Sequence, residues 1–320
     1  MKKTFDIYKL KFIKENDIIE EVKDGYSGAL LYKITRNESN FFLKIFNGKL
    51  TKKEKKKIKN CISIYKKLNI KSLSIIDMGN ISNSDNYYIV YNFIEGINLK
   101  EYTKINNFSP SDIRKFGEKI GQELLKLKNY KDYNIELFIS EKIEDLVETT
   151  INNFDLLLNN NLYKNIILEY FDTKELNQLK SKLIEYYSFL KNVPQNLIHG
   201  DIKRANIMVN ENKEFYITDI ESMQVNYDVL NFRYQITWSL FEGSEKEYEF
   251  VNGYFNGIYD GRRPKDFNYH IIFIIILNFF TESYHRYKHS NINGLREYVE
   301  KCQKLFSKIN KMNLDKDLII

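Results

Sequence analysis

The sequence predicts an α+β chain in two lobes: a β-rich N-terminal lobe over residues 1–95 and a mainly helical C-terminal lobe over 96–320. Three observations carry that reading. Short segments rich in branched and aromatic residues recur, with turn signals between them, as far as Ile94. From Ser109 onward, apolar residues repeat at helical spacing over long stretches. Inside the helical half, short strand patterns return in "NLIHGDIKRANIMVN" and "EFYITDI".

Taken in order, "DIIEEVKD" (17–24) and "ALLYKIT" (29–35) read as strands flanking a turn at "GYSG", and "NFFLKIF" (40–46) reads as a third. The Lys-rich stretch 51–68 places Ile58, Ile62, Tyr65 and Leu68 at helical spacing, which predicts an amphipathic helix. "LSIIDMGNI" (73–81) and "NYYIVYNFI" (86–94) read as two more strands. A helix then opens at "SPSD", with Ser109 as its N-cap and Pro110 in the first helical position. "IIFIIILNFF" (271–280) is too short for a membrane span of about 20 residues, so a helix buried on all sides is expected.

Composition narrows the class. Hydrophobic residues make up 43% and charged residues 29% of 320, as in a globular protein with a sizeable core. The net charge of +6 is concentrated in "KLTKKEKKKIKN" (49–60), and the rest of the chain is close to neutral. Such a run reads as the solvated face of a helix, so neither a nucleic-acid nor a membrane partner is expected. Cys61 and Cys302 stand far apart without a CxxC spacing, which suggests neither a disulfide framework nor a zinc site. The basic N-terminus lacks the apolar core of a signal peptide, and a reducing cytoplasm is expected.

The chemistry is concentrated in one stretch. Asp201 follows His199 and Gly200, Asn206 lies five residues later, and "YITDIES" carries Asp219 and Glu221 at a strand end. One carboxylate that can accept a proton, with an Asn and a second Asp as oxygen donors, suits metal-assisted phosphoryl transfer. "HGDIKRAN" followed by "ITDIE" resembles the aminoglycoside phosphotransferase and choline kinase family, which has a protein-kinase-like fold.

The resemblance runs from about residue 18 to 225. It implies a nucleotide-binding first lobe and a catalytic, substrate-binding second lobe. By that likeness Asp201 is the catalytic base, Asn206 and Asp219 hold Mg²⁺, and His199, Lys203 and Glu221 support them. Gly25, Ser27 and Gly28 would cover the phosphates of ATP or GTP, and Lys44 would contact them. Glu54, the only acidic residue between Lys44 and Asp77, is the local candidate to pair with Lys44. The backbone of Asn92, Phe93 and Ile94 would meet the purine edge, with Tyr91 behind it.

The implied activity is transfer of phosphate to a hydroxyl of a small molecule, an aminoglycoside-like aminocyclitol or an amino alcohol such as choline. An antibiotic-resistance role belongs to the same expectation. Lys203 also matches protein kinases acting on Ser and Thr, which makes such a kinase the runner-up; a non-catalytic nucleotide-binding scaffold is the rival class. After Glu221 the chain departs from the family pattern, and "NYDVLNFRYQ" offers Asp228 as the brace of the catalytic loop. For an amine acceptor, Glu141, Glu144, Asp145 and Glu148 could supply carboxylates on one helix face. Tyr254, Phe255, Tyr259, Tyr284, Tyr287 and Trp238 could supply rings. A solvated helix face and core packing are the ordinary roles of such residues.

Overall fold

Alternation along the early strands sorts their side chains onto two faces of one sheet. In the computed structural model, residues 7–22, 29–139, 142–314 and 319 are described, with Lys9 as backbone alone. Strands β1 (Ile18–Glu21), β2 (Leu30–Arg36), β3 (Ser39–Asn47), β4 (Ile75–Asn80) and β5 (Asn86–Asn92) form an antiparallel sheet in the order β1-β2-β3-β5-β4. Leu43 and Ile45 face Val90 and Tyr88 in one core; Ile89, Tyr91 and Met78 pack in another with Ile58 and Leu73.

Helix α1 (Lys52–Lys67) joins β3 to β4. Its buried residues are Ile58, Cys61, Ile64 and Tyr65. The expected stripe is therefore corrected: Cys61 and Ile64 take the inner positions assigned to Ile62 and Leu68. Spacings of three and four residues from Ile58 and Cys61 define a slightly rotated face. The lysines of the basic run are largely exposed, as a solvated face requires.

Beyond β6 (Gly96–Asn98) come α2 (Leu99–Ile105), α3 (Pro110–Asn129), α4 (Ile143–Leu158), α5 (Asn161–Leu168) and α6 (Thr173–Lys191). Ser109 caps α3 by accepting from the Asp112 N–H, with Pro110 in its first turn, as expected. Strand β7 (Asn196–Ile198) leads into the HGD segment, after which β8 (Ile207–Asn210) and β9 (Phe215–Ile217) form a hairpin that adds to β6. Strand β10 (Gln224–Asn226) returns to pair with β7. Helices α7 (Gln235–Ser239), α8 (Glu245–Ile258), α9 (Phe267–Lys288) and α10 (Ile292–Ile309) complete the chain. All of Ile271–Phe280 in α9 is buried, matching the helix expected to be apolar on every side.

By packing, the chain divides into Met1–Tyr102 with Arg204–Ser222, and Thr103–Lys203 with Met223–Ile320. The sequence expectation drew one line at 95/96 and kept 204–222 in the helical lobe. The hairpin β8–β9 joins the first unit because β8 pairs with β6 and the Ile217 N–H donates to the Lys71 carbonyl at 2.9 Å. Among the described residues no helix is long and apolar enough to cross a membrane.

In the second unit, α3 and α8 approach backbone to backbone. A Cβ at Gly117 would stand 2.1 Å from the Phe250 carbonyl oxygen, and one at Gly253 would stand 2.0 Å from that of Arg114. Gly121 and Gly257, one turn along each helix, are as tightly covered.

Candidate active site

The strand period places Lys44 opposite Ile89, on the sheet face of Tyr91 and α1, because Leu43 and Ile45 take the other face. Lys44 is 4% exposed. Its Nζ donates to Asp219 Oδ1 at 2.6 Å and to Glu221 Oε1 at 2.6 Å. Burial alone would push this lysine down, but the charges of Glu221 and Asp219 overcome it and hold the ammonium above its ordinary value. One buried positive charge faces two carboxylates, so the cluster carries an excess of negative charge. Burial, then the charges of Glu221 and Asp219, push the Tyr91 hydroxyl up well beyond its usual range.

Asn206 and Asp219 are brought together by the β8–β9 hairpin. Ile207 pairs with Ile217, so the residues just beyond the open end stand side by side, and the Thr218 N–H donates to the Asn206 carbonyl at 2.9 Å. The far end closes on Asn210, whose Oδ1 accepts from the Glu214 N–H at 2.9 Å. Asp219 adopts a left-handed backbone, φ +56°, and a short 3-10 turn over Ile220–Ser222 follows. Asp tolerates that region better than branched residues do, and strain of this kind collects at functional positions.

One expectation in this unit is corrected. Glu54 does not serve Lys44: its Oε2 accepts from the Thr51 N–H at 2.7 Å, while the Thr51 hydroxyl accepts from the Glu54 N–H at 3.1 Å. This capping box satisfies the exposed start of α1 and occupies the carboxylate. Of the three backbone groups expected to meet a purine, the Asn92 N–H already donates to the Ser74 carbonyl at 2.9 Å and the Phe93 N–H to the Asn40 carbonyl at 3.4 Å. Only the Ile94 N–H of the three makes no hydrogen bond among the described residues. Gly25, Ser27 and Gly28 lie outside the described residues.

In the second unit the HGD segment is tied down by backbone bonds. Gly200 has φ +91°, a left-handed conformation that glycine adopts without penalty. Its N–H donates to Asn231 Oδ1 at 3.0 Å, and the Ile202 N–H donates to the Asn231 carbonyl at 2.9 Å. Asn231 Nδ2 in turn donates to the Tyr254 hydroxyl at 2.9 Å. His199 is fully buried, and its Nδ1 accepts from the Asp201 N–H at 3.3 Å. Asp201 remains partly exposed, with Lys203 Nζ 2.7 Å from its Oδ2.

The brace that the sequence sought in Asp228 is thus Asn231. Asp228 is buried elsewhere, 2.8 Å from Lys128 Nζ and 3.4 Å from Asn196 Nδ2, where it ties its turn to α3 and β7. The signal for Asn231 was present in "NYDVLNF", but a brace made by one side-chain and one main-chain carbonyl leaves no spacing rule. The candidate amine-binding residues keep their ordinary roles. Glu144, Asp145 and Glu148 are exposed on α4, and Glu141 lies outside the described residues. Tyr254 and Phe255 are fully buried core, and Lys301 Nζ sits 6.0 Å from the Trp238 ring centroid.

The buried lysine held by carboxylates and the Asn206 and Asp219 positions at the open end of the hairpin lie in the first unit, and the HGD loop in the second. The family model of the phosphotransferase enzyme family APH matches residues 18–219, and the chain belongs to that family. It is a phosphotransferase in class. A search of curated protein sequences found no relative. Among solved structures, a microcompartment-associated aminopropanol kinase matches with a TM-score of 0.66 at 9% identity, over 94% of this chain and 96% of that one. A thermostable mutant of the aminoglycoside phosphotransferase APH(4)-Ia matches with a TM-score of 0.60 at 8% identity, over 92% and 96%. The choline kinase LicA from Streptococcus pneumoniae matches with a TM-score of 0.54 at 15% identity, over 90% and 94%. These likenesses establish the protein-kinase-like fold.

Proposed function

We propose that this protein moves the terminal phosphoryl group of ATP or GTP to a hydroxyl of a small amine-bearing alcohol, an amino alcohol or an aminocyclitol. The observation that carries this reading is the buried Lys44 ammonium held against Asp219 and Glu221. A phosphate-gripping cation and oxygen donors of excess negative charge are thereby within one cluster. Hard oxygen donors with surplus negative charge fit Mg²⁺, with Asn206 and Asp219 as its holders. When bound, the ion neutralises charge developing on the phosphates.

Lys44 grips the phosphates as a point charge. Gly25, Ser27 and Gly28 cover them, and the Ile94 N–H meets the purine edge; a backbone donor serves ATP and GTP alike. Asp201 orients the acceptor hydroxyl and takes its proton as the oxygen bonds to phosphorus and the bond to the departing nucleoside diphosphate breaks. Lys203 holds the Asp201 carboxylate in place, and buried His199 secures the loop backbone. Aminopropanol, choline, spectinomycin and hygromycin B, named for solved proteins of this fold, are all hydroxyl-bearing amines, which supports the acceptor class. Turnover of an aminoglycoside would place the enzyme in antibiotic resistance, and a cytoplasmic setting would supply nucleotide and Mg²⁺.

The test is nucleotide consumption with Mg²⁺, using ATP and GTP, against aminoglycosides, choline and short amino alcohols. Turnover with one acceptor class, lost in Asp201→Asn while nucleotide still binds, is the expected result. Undiminished turnover in that variant would overturn the assignment of Asp201.

A further inference from the structure

We propose that Glu221 is the positioning residue for Lys44, doing from the turn after Asp219 what a helix glutamate does in protein kinases. The inference rests on the reading of Lys44 as the phosphate-binding lysine. Lys44 is buried among apolar residues, and a buried ammonium needs a permanent partner. Two carboxylates hold it, at 2.6 Å each. On the same reading Asp219 would hold the cation, which would draw its charge away from Lys44. Glu221 is then the carboxylate that keeps Lys44 aimed.

Helix α1 cannot supply the substitute. Its single acidic residue, Glu54, is spent on the N-terminal capping box. The helix packs against the turn Ile220–Ser222, and what it presents to Glu221 is Lys57 and Cys61. Lys57 is half-buried and has no ion-pair partner within 4.0 Å among the described residues; burial pushes it down and Cys61 and Glu221 pull it back. Positive charge thus stands on the helix where a glutamate is expected, and the carboxylate stands across from it. On the other side of Glu221, its buried Oε2 stands by the buried Tyr91 hydroxyl, which the charge of Glu221 helps to push up. The contact that aims Glu221 at Lys44 is made by its Oε1, at 2.6 Å.

The experiment measures binding of ATP with Mg²⁺ by titration calorimetry, without acceptor, for wild type, Glu221→Gln, Glu221→Asp, Glu54→Gln, Lys44→Met and the double variant Lys44→Met with Glu221→Gln. Circular dichroism and the thermal midpoint verify that each is folded. Glu221→Gln should weaken binding by about tenfold or more, the usual cost of losing a partner that orients a binding group. Glu221→Asp should recover part of the loss, and Glu54→Gln should bind as wild type does. The double variant should bind no more weakly than Lys44→Met alone, because Glu221 acts through Lys44. The Mg²⁺ concentration for half-maximal binding should be unchanged in Glu221→Gln. Wild-type affinity in Glu221→Gln, additive losses in the double variant, or a loss expressed mainly as a raised Mg²⁺ requirement would each overturn the proposal, the last by making Glu221 a metal ligand. Absence of binding in wild type would instead sink the nucleotide reading itself.

Discussion

Lys44 and the seam between α3 and α8 are both buried, yet their surroundings are built from opposite materials. Around Lys44, an ammonium and two carboxylates depend on one another, and a left-handed aspartate sits beside them. Removing one partner there leaves a buried charge exposed to a low-dielectric interior. Between α3 and α8, Gly117, Gly121, Gly253 and Gly257 let backbones touch, and there is no room for a methyl group. The polar region keeps its groups for chemistry and pays with mutual dependence, whereas the seam contributes only packing. Substitutions should therefore separate cleanly: turnover or binding fails in one region, folding in the other.

The largest effect belongs to the polar side. Asp201→Asn should lower turnover by about 10²- to 10⁴-fold, the range for a lost general base, with the thermal midpoint unchanged. A variant that unfolds rather than falls silent would break the contrast. Next comes the seam. Alanine in a helix interior is favoured over glycine by about 1 kcal/mol, whereas overpacking costs about 1–3 kcal/mol and more when backbone must move. Gly253→Ala, with its methyl aimed at the Arg114 carbonyl, should lower the denaturation midpoint, and nucleotide affinity of the folded fraction should be kept. A raised midpoint would show that α3 and α8 can part without loss.

A third test lies in the helical core. His270 is buried in α9 with Nε2 unpartnered among the described residues. Burial pushes its pKa below 6.5; Asp266, a hydrogen bond to the Phe189 backbone and Asp228 pull weakly the other way. A histidine depressed in the folded state leaves the unfolded chain binding more protons. Its stability contribution is complete above about pH 6.5 and is lost as pH falls toward the folded value, about 1.4 kcal/mol for each unit of depression. The thermal midpoint of wild type should drop between pH 7 and 5, and His270→Leu should flatten that slope. An identical slope in the variant would assign the acid sensitivity elsewhere. The smallest effect is expected at Thr51→Ala, which removes the α1 cap and should cost about 1 kcal/mol in urea unfolding without altering nucleotide binding. Weakened binding there would return Glu54 to the site.

How far these residues were legible depended on the reach of the interaction. The β8–β9 hairpin was readable because Asn206 and Asp219 are set side by side by a local pairing of short strands. The cap at Ser109 and the fully buried Ile271–Phe280 were readable for the same reason, since each is decided within one helix. The partner of Lys44 was not. Glu54 was the nearest acid in sequence, but Asp219 and Glu221 lie 175 and 177 residues away. Proximity along the chain favoured the wrong carboxylate because Glu54 had a cheaper local use at the helix start. Asn231 was missed likewise, as its two backbone contacts appear only once the turn over Asp228–Phe232 folds beside the HGD loop.

The sequence by itself determined most of the strands and helices, the strand that carries Lys44, and the HGD and Asp219 motifs on which the proposed phosphoryl transfer rests. Those follow from periods of two and 3.6 residues and from side-chain types, which are properties of short segments. Tertiary structure alone decided which carboxylates meet Lys44, which backbone donor is left over at Ile94, which amide braces the catalytic loop, and that 204–222 packs with the first unit. Each is a choice among groups of equal chemistry, and only the burial that brings distant segments together makes one of them near enough to count.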